Sequence, residues 1–61
     1  MANRNSVYVG GEYHLVSTSQ TSKTVWWASG MMQNEKIVAK GRSEPAALKT
    51  WQDLAEYKLL E

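Results

Sequence analysis

Lys36, Lys40 and Arg42 are the residues whose spacing most invites a chemical reading. Together with Val38 they alternate with Ile37, Ala39 and Gly41. In an extended chain successive side chains point to opposite faces, so the three cations share one face. Cations in such a row can neutralise phosphates. They also serve, more plainly, as lysines that keep an edge strand from pairing with another chain. Catalytic chemistry finds less support. A nucleophile, base and orienting group must converge, and the single histidine, His14, stands alone in a β-rich stretch. Glu44, Asp53 and Glu56 fall at a helix start or on a solvated helix face, with no cleft to pair them for acid–base work. There is no cysteine and only one histidine, too few for the usual zinc ligand sets. Gly10-Gly11 lacks the following helix that would aim backbone N–H groups at a phosphate. The residues point to a protein that binds rather than catalyses, with no metal, no cofactor and no small-molecule substrate.

The elements that position these residues are few. Sixty-one residues make one small domain, and such a chain buries only about 60% of its unfolded surface. Without disulfides, packing of its three tryptophans and three tyrosines or association with a partner must hold it together. The organising stretch is Thr24–Met32, TVWWASGMM, the longest apolar run, which reads as the central strand. Ser6–Val9, Glu12–Ser19 and Lys36–Gly41 read as the other strands. Gly10-Gly11 is a two-residue hairpin signal, Gln20–Lys23 a polar turn, and Asn34 tolerates a left-handed turn position. Ser43-Glu44-Pro45 carries an N-cap, a first-turn acid and a first-turn proline. It opens a helix over Pro45–Leu59 with Ala47, Leu48, Trp51, Leu54 and Ala55 on one side. Residues 1–5 are expected to fray, and Leu60–Glu61 reads as a cloning scar.

The expected fold is α+β: an antiparallel sheet of three to four strands with one C-terminal helix packed on one face. Two-residue loops at Thr21-Ser22 and Asn34-Glu35 set Leu15 opposite Ala28 and Met32 opposite Ile37. The covered face is then Tyr13, Leu15, Trp26, Ala28, Gly30, Met32, Ile37 and Ala39, its small residues leaving room for Trp51. The other face carries His14, Val16, Trp27, Met31, Lys36, Val38, Lys40 and, past the strand, Arg42, and nothing in the chain covers it. A face so apolar marks an interaction site, with Trp27 as its anchor.

Charge divides along the same line. Residues 1–43 hold Arg4, Lys23, Lys36, Lys40 and Arg42 against Glu12 and Glu35, a balance of +3. Residues 44–61 hold Lys49 and Lys58 against Glu44, Asp53, Glu56 and Glu61, a balance of −2. The first functional reading is protein–protein interaction through the open face, homodimerisation included. The second is nucleic-acid binding, to DNA or to a single strand, through the same face. In element order, three strands then a helix with basic residues on the open sheet, the chain resembles the arm-binding domains of phage-type integrases. No motif residues are shared, so the resemblance assigns no site. No run approaches the ~20 apolar residues of a membrane span, and MANRNSVYVGG lacks the apolar core of a signal peptide. The expectation is a cytoplasmic protein that does not enter membranes.

Overall fold

The computed structural model describes residues 2–60. Four strands, β1 (Ala2–Val9), β2 (Glu12–Ser22), β3 (Val25–Met32) and β4 (Glu35–Gly41), are followed by one helix, α1 (Glu44–Leu59). The strands form one antiparallel sheet in the order β1-β2-β3-β4, and α1 lies across one of its faces. This is the expected α+β architecture. β1 is longer than expected: Ala2–Asn5, read as frayed, pair with Val16–Ser19. Met1 and Glu61, to which the expectations of fraying and of a cloning scar extend, lie outside the described residues.

Turn chemistry sets the registers. Gly10 and Gly11 have φ of 60° and 86°, and Gln33 and Asn34 have φ of 52° and 66°. Two consecutive positive φ values match the twist of the flanking strands, the arrangement favoured in two-residue hairpins. The second turn is therefore Gln33-Asn34, one residue earlier than expected. Gly30 pairs with Ile37 and Ala28 with Ala39. That is a two-residue shift from the expected register, which leaves every side chain of β4 on its expected face.

The β2–β3 turn behaves differently. It consists of Lys23 and Thr24, neither with positive φ, so it does not supply the twist that the strands need. Ser22 pairs with Val25 but Gln20 pairs with Trp26, leaving Thr21 as an extra residue. Such a bulge adds local twist. It also changes parity. Continued without the bulge, the Ser22–Val25 register would set Leu15 opposite Met32 and Ser17 opposite Gly30. With it, Val16 meets Gly30 and Thr18 meets Ala28. A one-residue slip turns a whole strand over, and that is how β2 departs from expectation. Val16 and Thr18 face the helix and are buried, while Tyr13 and Leu15 face outward and are exposed.

The core is Val7, Val9, Val16, Ala28, Met32, Ile37 and Ala39 from the sheet and Ala47, Trp51 and Ala55 from the helix, with Trp26 and Leu48 packed at its margin. Trp51 is its centre, fully buried, with Nε1 donating to the Ile37 carbonyl at 2.9 Å. A Cβ on Gly30 would lie 2.9 Å from Trp51 Cζ2, so the indole rests directly on the Gly30 backbone. A Cβ on Gly41 would overlap the backbone of Ala46 and Ala47, which fixes how closely α1 begins beside β4. The buried helix stripe is only Ala47, Trp51 and Ala55. It is narrower than the pattern promised because Ala47 and Ala55, each four residues from Trp51, let the helix approach until that one tryptophan fills the gap. Leu54 stays exposed.

Candidate macromolecule-binding face

The face away from α1 is built by alternation. β1 contributes Arg4, Ser6 and Tyr8, and β2 contributes Tyr13, Leu15, Ser17 and Ser19. β3 adds Trp27, Ser29 and Met31, and β4 adds Lys36, Val38 and Lys40. Trp27 is 38% exposed, Val38 47%, Met31 57%, Leu15 63% and Tyr13 73%. Five large apolar side chains this open on one face of a 61-residue chain are an uncovered surface rather than scattered exceptions. Lys40 holds its Nζ 5.7 Å from the centroid of the Trp27 ring, a cation–π approach that shields part of the indole. Such a contact is worth about 0.5–1 kcal/mol at an exposed site. Tyr8 and Tyr13, paired across β1 and β2, meet edge to face at 5.0 Å. Between β2 and β3 lies a shallow hollow lined by Leu15, Ser17, Ser29, Gly30, Met31 and Lys36.

Of the residues proposed from the sequence, Trp27, Met31, Lys36, Val38 and Lys40 come together here. Two do not. Val16 is wholly buried beneath the helix, and His14 is turned to the same side, its ring 6.2 Å from that of Trp51. Both errors follow from the bulge at Thr21. Arg42 lies past the end of β4, exposed in the link to α1 rather than on the sheet. Sequence reasoning missed Arg4, Tyr8, Tyr13 and Leu15, although a signal for three of them was present. A tight Gly10-Gly11 hairpin sets Val9 opposite Glu12 and Tyr8 opposite Tyr13. Val7 and Val9 claim the core face, so Tyr8, Tyr13 and Leu15 must take the other. That chain of pairing is independent of the β2–β3 turn.

The two sides differ in charge. Every charged side chain on the open face is cationic: Arg4, Lys36 and Lys40. The carboxylates lie elsewhere. Glu35 pairs with Lys58 of the helix, and Asp53 and Glu56 are exposed on α1. Glu44 anchors the helix start. Its Oε2 accepts from the buried Thr18 hydroxyl at 2.6 Å and from Asn3 Nδ2 at 3.0 Å. The Thr18 hydroxyl first, and the Asn3 amide second, hold its pKa below the ordinary carboxylate value against the opposing effect of burial. Asn5 adds a smaller lowering influence, its Nδ2 falling short of a hydrogen bond. Ser43 accepts the Ala46 N–H at 3.3 Å as the N-cap. Among the described residues no three His, Asp or Glu side chains are placed to hold a metal ion, and no helix is long and apolar enough to cross a membrane. In comparisons with protein-family models, curated proteins and solved structures, nothing matches this chain.

Proposed function

We propose that the chain is a non-enzymatic binding module whose open sheet face receives a macromolecule. The observation that carries this reading is the contiguous set Tyr8, Tyr13, Leu15, Trp27, Met31 and Val38, large side chains left uncovered by α1, the one helix among the described residues. Aromatic residues and methionine are the types enriched where proteins meet, so a protein partner, a second copy included, fits the face. Face-to-face pairing of two copies would bring Arg4, Lys36 and Lys40 of both into one interface with no carboxylate of that face to answer them. Like charges in that setting are destabilising. A partner with acidic surface avoids the difficulty. Nucleic acid is the second reading, and the uniformly cationic charge of the face supports it.

Chemical-shift mapping with each candidate tests the reading, alongside light scattering across a concentration series. The expected result is perturbation confined to Tyr8, Tyr13–Ser19, Trp27–Met31 and Lys36–Lys40. Perturbation of the outer side of α1 with an unmoved sheet face would overturn it.

A further inference from the structure

We infer that the open face takes single-stranded nucleic acid, with an unpaired base seated in the hollow between β2 and β3. This rests on the reading of the open face as the binding surface. Three observations separate a strand of unpaired bases from a duplex or an acidic protein. First, charge and rings are sorted by strand. On this face β2 and β3 carry no charged side chain, whereas Lys36 and Lys40 stand on β4 and Arg4 on β1. A strand laid along β4 meets Lys36 and Lys40 with its phosphates and turns its bases inward, over the uncharged centre. Second, the centre is hollow. Leu15, Met31 and Lys36 line it together with Ser17, Ser29 and Gly30. A duplex is read by a helix or by strands that enter a groove, whereas a hollow in the sheet admits a flat ring. The two serine hydroxyls can donate to and accept from its edge.

Third, exposed rings stand at both ends of the hollow. Tyr13, braced by Tyr8, lies at one end and Trp27 at the other. Ser19 is the residue paired with Trp27, and the six-residue step along β2 from Tyr13 to Ser19 covers about 20 Å. That run accommodates several bases, with aromatic platforms for those on either side of the hollow. Stacking on exposed rings beside a cationic track is the sequence-tolerant mode of single-strand binding. An acidic protein would satisfy the same cations, but it brings no run of flat rings to the serine-lined hollow between Tyr13 and Trp27.

The probe is a fifteen-nucleotide oligothymidine, compared with a blunt duplex of equal length and with poly-glutamate, all at low salt. The expected result is quenching of tryptophan fluorescence by the single strand alone. Amide shifts should be confined to Tyr13–Ser19, Trp27–Met31 and Lys36–Lys40. The log–log salt slope should be roughly −1.5 to −2, from two or three phosphate contacts. Trp27→Ala should weaken binding about tenfold. Ser29→Leu, which fills the hollow and leaves every cation in place, should weaken it at least about fivefold, and Lys49→Gln on the helix should change nothing. Circular dichroism establishes that each variant is folded.

Duplex binding as tight as single-strand binding overturns the inference and leaves the open face as a binding surface if the shifts fall there. Perturbation of the face by poly-glutamate alone does the same. An unchanged affinity in Ser29→Leu removes the seated base. If single-strand shifts map to α1, the inference and the reading beneath it fall together.

Discussion

The two faces of this sheet are made by the same four strands, one residue apart, and they solve opposite problems. The covered face has small residues at its middle, Ala28, Gly30, Ala39 and Gly41, against Ala47 and Ala55 of the helix, and Trp51 fills the space they leave, with Val16, Met32 and Ile37 packed in the same core. The open face spends its size outward: Tyr8, Tyr13, Leu15, Trp27, Met31 and Val38. Bulk placed under the helix stabilises the fold, and bulk placed on the other side is free to meet something else. Adjacent tryptophans make the contrast sharp. Trp26 packs at the margin of the core and Trp27 stands on the open face.

The largest effect expected from breaking this contrast is Trp51→Ala. A domain of this length has roughly 3–9 kcal/mol of stability in total, and emptying a buried tryptophan site costs about 3–5 kcal/mol. Urea denaturation followed by circular dichroism should show Trp51→Ala mostly unfolded, and Trp27→Ala within about 1 kcal/mol of the parent. Equal losses in the two variants would mean that the faces are not distinct in energy.

Inserting one alanine directly after Thr21 comes next. With the bulge still one residue deep, the insertion sets Ser17 opposite Gly30 and turns β2 over, exposing Val16. Its burial alone is worth about 1.5–3 kcal/mol. The expected outcome is a loss of at least about 2 kcal/mol, together with loss of the Trp51 ring-current shift on the His14 resonances. An unaltered His14 spectrum would show that the register is set elsewhere, with Gly10-Gly11 the remaining candidate. Gly30→Ala follows, at about 1–3 kcal/mol, because its methyl group meets the Trp51 indole. Ser29→Ala, one residue away and facing outward, should lie within about 0.5 kcal/mol of the parent in the same urea series.

A smaller and opposite change is expected at the second hairpin. Replacing Gln33-Asn34 with Asn-Gly places residues that adopt positive φ readily. A gain of about 0.5–1 kcal/mol should appear as a higher midpoint. The smallest effect concerns Glu44 and is visible only in acid. Its folded pKa lies below the unfolded value, so its stabilisation is complete above the unfolded pKa, near 4.3, and fades as pH falls through the folded value. Thermal midpoints of the parent should fall across that window, and Glu44→Gln should flatten that part of the decline. An identical pH profile in the variant would dissociate the carboxylate from Thr18 and Asn3.

How much of this could be read in the chain depends on how local the deciding signal is. The helix was legible because Ser43, Glu44 and Pro45 mark its start, and Trp51 with its flanking alanines marks its buried side. β3 and β4 were legible despite a misplaced turn, because an even error in register preserves the face. β2 was not, because one surplus residue in the polar run Gln20–Thr24 reverses parity and nothing in its chemistry distinguishes Thr21 from its neighbours. Val16 and His14 were lost to the candidate face on that account, and Tyr13 and Leu15 were gained. The Glu44–Thr18–Asn3 contact was likewise hidden, since it joins residues 41 positions apart that only the finished fold brings together.

The meander order has one further consequence, for how the molecule is made. Each strand neighbours the one before it in the chain, so hairpin contacts can form sequentially as residues 2–41 emerge from the ribosome, before the helix exists. Until residues 44–59 follow, the nascent sheet has greasy surfaces front and back, and exposed hydrophobic surface of that kind invites aggregation. A truncation ending at Gly41 should therefore be insoluble or chaperone-bound, and adding the helix segment in trans should rescue it. The segment Glu44–Leu59 decides which of two sticky sides is retired and which is kept for use.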